Sequence, residues 1–324
     1  MTKAIIIEKT GGPEVLQWKD AQVGEPGDGQ VRIRQTAIGL NYIDTYQRSG
    51  LYPVPMPGGI GLEAAGVIEA VGPGVGHVKA GDRVAYAGGP AGSYAEKRVM
   101  PAAPLVKLPD NVSDQQAAGM MLKGMTVQYL IRRTYKVQAG ETVLLHAAAG
   151  GVGLIACQWL KALGVTVIGT VSSEEKAALA KANGCTHTIL YTKEKFSERV
   201  RELTNGAGVP VVYDSVGKDT WDDSLSCLQP LGMMVSFGNT SGPVAPVNIG
   251  QLAAKGSLFV TRPMLATYTA KPGDLQAMAR DLFDVMASGK VKAEVAQTFA
   301  LKDAAEAHRA LEGSKTVGST VLLS

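Results

Sequence analysis

The spacing of hydrophobic positions changes about one third of the way along the chain, which indicates two regions of different structure. Up to about residue 125, short runs with alternating apolar side chains predict strands, and glycine- and proline-rich turns divide them. The strands predicted for this β-rich region are 4–8, 30–37, 64–71 and 83–86.

From about residue 126, short apolar runs alternate with segments of helical periodicity. Six strands joined by helices predict a doubly wound parallel sheet, and therefore an α/β fold. The six predicted strands are 142–146, 165–171, 186–190, 211–214, 233–237 and 257–261.

The last segment, 265–324, has its own pattern of helix 274–288, strand 294–299, helix 302–311 and strand 316–323. We expect this segment to return and complete the first region. The predicted division is therefore a first domain built from 1–125 and 265–324, and a second domain at 126–264.

Composition narrows the classes of function. The chain has 324 residues, of which 45% are hydrophobic and 19% charged, enough for two domains with sizeable cores. Its net charge of +3 gives little reason to expect nucleic-acid or membrane partners. No run of 18 apolar residues occurs, and the first residues turn polar too soon for a signal peptide. Three widely separated cysteines are typical of a reducing compartment, so we expect a cytoplasmic protein.

The stretch 142–176 is the most informative part of the chain. A strand-like run leads into a turn of small residues, a helix stopped by Gly164, and a second strand. Glycines at such a turn allow backbone N–H groups to approach a dinucleotide pyrophosphate at the helix N-terminus. We expect this contact from four consecutive residues, Gly150, Gly151, Val152 and Gly153.

The end of the second strand of this unit indicates which dinucleotide is bound. An acidic residue there would hold the ribose 2′-hydroxyl of NAD, but this chain has Ser172 and Ser173, with Lys176 following. Hydroxyl groups and a cation suit the 2′-phosphate of NADP, so we expect NADPH over NADH. Ser172, Lys176 and Tyr191 are the predicted contacts, and Glu174 and Glu175 are assigned to the first turn of the next helix.

Several segments in a fixed order resemble a known family. Over its whole length the chain resembles the zinc-independent NADPH:quinone oxidoreductases, the zeta-crystallin-like group of the medium-chain dehydrogenase/reductase superfamily. The resemblance implies a GroES-like catalytic domain, a Rossmann domain, NADPH in the cleft between them, and homodimers paired through the Rossmann sheets. The segments that carry it are 37–53, 61–75, 80–86, 122–131, 146–153, 211–217, 235–242 and 258–263.

Departures from the zinc-dependent branch of the superfamily are equally informative. Zinc alcohol dehydrogenases have a cysteine near the position of Asn41, and a histidine where this chain has Leu62. The four-cysteine lobe of those enzymes is also missing, and the four histidines are too scattered for a zinc site. We therefore expect no metal, and structural or surface positions for the histidines.

The implied chemistry is direct hydride transfer from the nicotinamide to a quinone, without metal or flavin. The sequence leaves open whether the proton for the quinone oxygen comes from solvent or from a tyrosine. Asn41, Tyr46 and Tyr52 occupy positions where the family lines its substrate cleft, and Asn41 is a candidate partner of the cofactor ribose or of the acceptor oxygen. Asp44 is a further cleft candidate, or an acid at a helix start. Lys123 is similarly a second cleft cation or a helix-start lysine.

The remaining cofactor contacts are predicted from the carboxyl ends of the strands, where open α/β sheets bind ligands. Thr126, from the segment LKGMTVQYLI, is expected at the nicotinamide end of the cofactor. Arg262, after the sixth strand, is expected to face the same cleft and is also a candidate at the substrate. The residues predicted after the fourth and fifth strands are Ser215, Gly217, Phe237, Gly238 and Ser241.

Two other functions remain open from the sequence. An NADPH-dependent reductase of activated alkenes, such as enones, would use the same fold and the same hydride. Some zeta-crystallin-like proteins bind A/U-rich RNA, but the net charge of +3 and the lack of an RNA-recognition motif speak against it here.

Overall fold

The chain is described here by a computed structural model, which covers residues 2–271, 273–292 and 294–324. It divides into two compact units. Unit 1 comprises Met1–Met125, Leu275–Phe283 and Ala293–Ser324, and unit 2 comprises Thr126–Asp274 and Asp284–Lys292.

Sixteen strands lie in the described ranges, and they form three sheets. They are β1 Thr2–Ile7, β2 Gln17–Ala21, β3 Gln30–Leu40, β4 Gly58–Gly59, β5 Glu63–Val71, β6 Arg83–Ala87, β7 Lys97–Pro101, β8 Val106–Lys107, β9 Thr142–Leu145, β10 Thr166–Val171, β11 His187–Leu190, β12 Val209–Asp214, β13 Leu228–Ser236, β14 Phe259–Thr261, β15 Val295–Ala300 and β16 Ser319–Leu323.

The described ranges also contain ten α-helices. They are α1 Tyr42–Ser49, α2 Asp114–Tyr129, α3 Gly151–Ala162, α4 Glu174–Ala182, α5 Phe196–Leu203, α6 Trp221–Cys227, α7 Gly250–Ala254, α8 Leu265–Tyr268, α9 Asp274–Ala287 and α10 Ala304–Glu312. A π-helical turn, Leu130–Thr134, follows α2, and short 3-10 turns lie at Pro13–Val15 and Leu301–Asp303.

Unit 1 is built around antiparallel strands. Its larger sheet has the order β15-β16-β3-β5-β6-β8, with β7 also paired to β3, and a smaller sheet has the order β2-β1-β4. The four predicted strands correspond to β1, β3, β5 and β6, while the short strands β4 and β8 lacked an alternating pattern long enough to be recognised. The buried apolar side chains of these strands form one core.

The last strands of the chain join the same sheet. β16 is parallel to β15 on one side and antiparallel to β3 on the other, with Leu322 opposite Ile38. The last segment of the chain, 265–324, therefore supplies two strands, β15 and β16, of the larger unit 1 sheet.

Unit 2 contains a six-stranded parallel sheet in the order β11-β10-β9-β12-β13-β14. The order reverses between β9 and β12, which is the switch point where doubly wound sheets bind ligands beyond their carboxyl ends. All six strands predicted for this sheet are present, and the predicted α/β fold is confirmed. Helices α5 and α6 pack against apolar strand residues such as Leu144, Ile168 and Val212.

Candidate functional site

The glycine turn lies directly after β9, at the switch point of the unit 2 sheet. Ala147 takes a left-handed conformation with φ of 53°, and the N–H of Gly150 donates to its carbonyl oxygen at 2.9 Å. The first helical hydrogen bond of α3 runs from the N–H of Leu154 to the carbonyl of Gly150, so the N–H groups before it precede the helical ladder. Such N–H groups are the donors that bind phosphate at a helix N-terminus.

Gly153 fixes how closely α3 approaches this turn. A Cβ atom at that position would lie 2.3 Å from the carbonyl oxygen of Ala147 and 2.7 Å from the carbonyl carbon of Ala148. Both neighbours are backbone atoms, so they cannot turn aside as a flexible side chain could. The turn therefore requires glycine at this position.

The predicted 2′-phosphate residues gather where β10 and β11 end. Ser173 caps α4, its hydroxyl accepting from the N–H of Lys176 at 3.3 Å. Tyr191 is 53% exposed, and its N–H donates to the carbonyl oxygen of Val171, the last residue of β10, at 3.3 Å. Ser172 follows Val171 directly, so the backbone brings all three predicted residues to one end of the sheet.

The two acids near this point lie in the first turn of α4, as predicted. Glu174 forms a salt bridge of 2.9 Å with Lys193. A hydrogen bond from the Ser173 hydroxyl holds the pKa of the Glu175 carboxyl below its usual range. Both acids therefore interact with residues around the start of α4, and neither is the residue at the end of β10.

Asp214 organises the loop that follows β12. The side chain is fully buried, and its Oδ1 accepts from the N–H groups of Val216 at 2.7 Å and Gly217 at 3.0 Å. Its Oδ2 accepts from the hydroxyl of Thr220 at 2.7 Å. Sequence reasoning placed Ser215 and Gly217 in the site but missed this carboxylate, although an acid at the end of an apolar strand is an available signal.

The loops after β12 and β13 are joined by hydrogen bonds. Ser241 Oγ donates to the carbonyl of Val216 at 2.9 Å and accepts from the N–H of Asp219 at 3.0 Å. A Cβ at Gly238 would lie 2.2 Å from the carbonyl oxygen of Ser215, so the two loops touch there. The residues predicted in these loops, Ser215, Gly217, Phe237, Gly238 and Ser241, therefore lie together.

Arg262, which follows β14, supports the same loops. Its Nη1 donates to the carbonyl of Gly238 at 2.8 Å and to the hydroxyl of Ser236 at 3.2 Å. These bonds tie the guanidinium to the backbone beside the predicted cofactor residues.

A buried histidine connects the strand ends of unit 2. Ser224 donates to Asp214 at 3.0 Å, so its oxygen must accept from His146 Nε2 at 2.8 Å. The Nδ1 atom then accepts from the Thr170 hydroxyl at 2.9 Å. Burial lowers the pKa of His146, with Asp214 opposing that shift. The neutral ring is thus a structural link, as expected for the histidines of this chain.

Asn41 of unit 1 is held by two buried carboxyl groups. It precedes α1, and its N–H donates to Asp44 Oδ2 at 2.9 Å. Its Nδ2 donates to Glu63 Oε2 at 2.7 Å, while Glu63 Oε1 accepts from the N–H of Leu122 at 2.6 Å. Burial raises the pKa of Glu63, with Lys123 opposing that shift. Glu63 was not predicted, although it directly follows Leu62, the residue that distinguishes this chain from zinc enzymes.

Lys123 lies well inside α2, so the interpretation of it as a helix-start lysine is wrong. The side chain is 8% exposed, and its Nζ donates to the carbonyl of Leu40 at 3.1 Å and lies 3.7 Å from Glu63 Oε2. A lysine is rarely buried to this extent without a charged partner.

Asp44 lies in the first turn of α1, at the helix start, and its place in the substrate cleft stays a prediction. It is fully buried, and the Tyr94 hydroxyl donates to its Oδ2 at 2.9 Å. Oδ1 is buried without a hydrogen-bond partner among the described residues. Burial is the main cause that raises the pKa of Asp44 to about 7, so the carboxyl is protonated in mildly acidic solution and loses its proton near neutral pH.

Tyr46 and Tyr52 lie side by side in unit 1. Their ring centroids are 5.3 Å apart in an edge-to-face arrangement, and the N–H of Tyr52 donates to the carbonyl of Tyr46 at 3.0 Å. Tyr46 is buried and Tyr52 half-buried, with the exposed side chains of Leu51 and Met56 nearby in sequence. Tyr46 lies on α1, the helix that Asn41 precedes, and Tyr52 follows that helix in the chain.

Thr126 lies on α2, in the part of the helix assigned to unit 2. It forms a hydrogen bond with Tyr129, whose ring stacks on Tyr268 with centroids 4.8 Å apart and planes 10° from parallel. Burial raises the pKa of Tyr129 to about 12.

No group of three or more histidine, cysteine, aspartate or glutamate side chains in the described ranges is placed to hold a metal ion. Asn41 and Leu62, where zinc enzymes have ligands, cannot supply a zinc-binding thiolate or imidazole. Among the described helices, none is both long and apolar enough to cross a membrane.

Two family profiles match the chain. The alcohol dehydrogenase GroES-like domain matches residues 27–110, and the zinc-binding dehydrogenase profile matches residues 151–282. The chain is 58% identical to a quinone oxidoreductase of Pseudomonas aeruginosa and 48% identical to a 2-haloacrylate reductase of Burkholderia sp.. The alignments cover 100% of this chain, with 100% of the first relative and 99% of the second.

A solved structure has nearly the same fold. It is the quinone oxidoreductase of Escherichia coli complexed with NADPH, which is 50% identical to this chain and superposes with a TM-score of 0.98. The match covers 99% of this chain and 100% of that one.

Proposed function

Because the chain belongs to the zeta-crystallin-like quinone oxidoreductases of the medium-chain dehydrogenase/reductase superfamily, we propose that it reduces quinones with NADPH. The observation that carries this proposal is the glycine turn after β9, together with the acid-free end of β10. The first suits a dinucleotide, and the second suits the 2′-phosphate that distinguishes NADPH from NADH.

The residues proposed to hold the cofactor are in three groups. Gly150, Gly151, Val152 and Gly153 bind the pyrophosphate. Ser172, Lys176 and Tyr191 bind the 2′-phosphate. The other proposed contacts are Asn41, Thr126, Ser215, Gly217, Phe237, Gly238, Ser241 and Arg262.

When bound, NADPH supplies a hydride from its nicotinamide ring. Tyr46 and Tyr52 offer flat apolar faces to a quinone ring, and their hydroxyl groups suit its oxygens. Asn41 precedes α1, the helix of Tyr46, and its amide is fixed by Glu63. These three are the proposed substrate residues, with Asp44 and Arg262 as supporting candidates.

The competing substrate class is activated alkenes. A 2-haloacrylate reductase is 48% identical to this chain, but quinone oxidoreductases reach 50% to 58%. The balance of similarity favours quinones. The A/U-rich RNA alternative has no support from the fold or from the named relatives.

The test of the proposed function is the oxidation of NADPH and NADH with benzoquinone, phenanthrenequinone and a simple enone, followed by the absorbance of the nicotinamide. Fast turnover with quinones and NADPH, and little with NADH, is the expected result. Turnover with the enone alone would assign the chain to the alkene reductases, and no turnover with any acceptor would contradict the proposal.

We also propose that two copies pair through β14, in the cytoplasm. β14 is an edge strand of the unit 2 sheet, and its Phe259 and Val260 are 56% and 40% exposed. Met264 and Leu231 add further exposed apolar surface. An open, apolar sheet edge is a surface that a second strand can cover. The three cysteines are free and buried, which suits a reducing compartment.

A further inference from the structure

Lys123 carries an ammonium group with unused hydrogen-bonding capacity. An ammonium has three hydrogens to donate, and one is used by the carbonyl of Leu40 at 3.1 Å. Within the described ranges, no second hydrogen bond from Lys123 is formed, since the 3.7 Å to Glu63 Oε2 is an ion pair beyond hydrogen-bond distance. A buried cation with donors to spare is suited to bind an oxygen atom from outside the protein.

The hydrogen bonds of Glu63 do not require this lysine. Glu63 Oε1 already accepts from the N–H of Leu122 at 2.6 Å, and Oε2 accepts from Asn41 Nδ2 at 2.7 Å. Both contacts are much shorter than the contact with Lys123. The carboxylate balances the charge of the ammonium and holds it beside Asn41, but leaves its remaining hydrogens for another partner.

Lys123 lies close to the positions where the zinc-dependent enzymes of the superfamily have zinc ligands. Asn41 is near the position of a zinc-ligand cysteine in those enzymes, and Leu62 is at the position of a zinc-ligand histidine, so this chain lacks both ligands. Lys123 nevertheless places one positive charge beside Asn41 and Glu63. A fixed cation in a low-dielectric site stabilises negative charge far better than one in water.

We propose that Lys123 is a catalytic residue, whose ammonium binds the oxygen of the electron acceptor and then protonates it. This inference rests on the proposed function. The hydride supplied by NADPH bonds to one oxygen of the quinone. The π electrons of the quinone shift through the ring, and the other oxygen becomes a phenolate anion next to Lys123 Nζ. An N–H bond of the ammonium breaks, an O–H bond forms, and the neutral amine recovers its proton from solvent. The sum is one quinone, one hydride and one proton giving one hydroquinone.

Three variants test whether Lys123 acts on the acceptor or only balances the charge of the buried Glu63 carboxylate. Lys123→Met removes the charge and leaves Glu63 without its cation, which threatens folding. The double variant Lys123→Met/Glu63→Gln removes both charges, and the amide of Asn41 can turn to accept from the new glutamine. Lys107→Met is the matched control, because Lys107 is 53% exposed and pairs with Asp82 on the surface of unit 1.

The double variant should fold with a melting temperature near that of the wild type and reduce benzoquinone about 100-fold more slowly, as when one donor to a developing oxyanion is removed. Lys107→Met should retain wild-type turnover. A double variant with wild-type turnover would show that Lys123 serves only Glu63, and would overturn the inference.

A second measurement does not depend on turnover. Nitrophenol, added with NADP⁺, resembles the hydroquinone product, and its phenolate form has a distinct absorbance. Wild type should bind it with a raised fraction of phenolate, and the double variant should not. Equal phenolate fractions in both would also overturn the inference. Wild type that ionises nitrophenol but reduces no quinone would contradict the proposed function while retaining the oxyanion site.

Discussion

His308 Nδ1 lies 3.0 Å from Arg48 Nη1, and because a guanidinium has only donors, this nitrogen must be an unprotonated acceptor. The ring is therefore neutral with its proton on Nε2, which lies 3.0 Å from the Tyr94 oxygen. Burial lowers the pKa of His308 to about 3, in agreement with a neutral ring. Tyr94 accepts from His308 and donates to Asp44, so the protons of His308 and Tyr94 have fixed places.

The raised pKa of the buried Asp44 makes the free energy of unfolding depend on pH. The native carboxyl loses its proton near pH 7, whereas an unfolded aspartate ionises near pH 4. Between these values the native state binds more protons, so Asp44 lowers the free energy of unfolding as pH rises. The slope from this one group is at most about 1.4 kcal/mol per pH unit.

Asp44→Asn replaces the ionisable group with a neutral one that donates and accepts like the protonated acid. We expect the variant to gain stability over wild type steadily as pH rises from about 4 to about 7, measured by urea unfolding. The exposed Asp28→Asn is the matched control and should show no such trend. A constant difference between Asp44→Asn and wild type across this range would contradict the assigned protonation.

Lys176→Ala tests the cofactor preference. In the proposed site Lys176 is the charged partner of the 2′-phosphate, so its removal should raise the KM for NADPH about tenfold or more. The KM for NADH should hardly change, because NADH has no phosphate there. Lys181→Ala, at an exposed position of the same helix, is the control. Equal effects on both cofactors would remove Lys176 from the 2′-phosphate site.

Gly153→Ala tests the close approach of α3 to the turn. The added Cβ would meet the carbonyl of Ala147 at 2.3 Å, so helix and turn must separate. We expect the free energy of unfolding to fall by about 1–3 kcal/mol, measured by denaturant unfolding. We also expect NADPH to bind more weakly, measured by titration. Gly76→Ala should leave both unchanged, because nothing lies within 4 Å of its added Cβ. Wild-type NADPH affinity in Gly153→Ala would argue against a pyrophosphate at this turn.

A charge on the exposed edge of the unit 2 sheet tests the proposed dimer. Phe259→Lys should shift the mass measured by light scattering from twice the 33.8 kDa of one chain towards a single chain. Val71→Lys, at a 38% exposed position in unit 1, should keep the mass of wild type. A wild-type protein that scatters as a single chain at micromolar concentration would contradict the proposal.

Much of the fold could be predicted because it depends on local patterns. The six strands of unit 2 are recognisable in the sequence as apolar runs between helical segments. Gly164 ends α3 as expected, in a left-handed conformation with φ of 75°. The acids of the first turn of α4 were also placed correctly, since the dipole of a helix favours them there.

The buried polar groups could not be predicted in the same way, because their meaning depends on distant partners. Glu63 has partners 22 and 59 positions away, and His308 meets Arg48 across 260 positions. Lys123 appears in sequence as an ordinary helix lysine, and only the folded chain brings it to Glu63. Spacing along a chain carries no information on such pairings.

The C-terminal strand β16 also orders events during synthesis. β7 covers the first half of one flank of β3, but the end of that flank, Ala37 to Leu40, pairs with β16. Because Leu40 lies opposite Thr320, this end of β3 stays open until about 280 further residues have been translated. By then every strand of the unit 2 sheet has left the ribosome, since β14 ends at Thr261. Domains usually fold in the order of their translation. In this protein the sheet that begins first is completed last, and the nascent unit 1 must wait for its final strands while unit 2 can already fold.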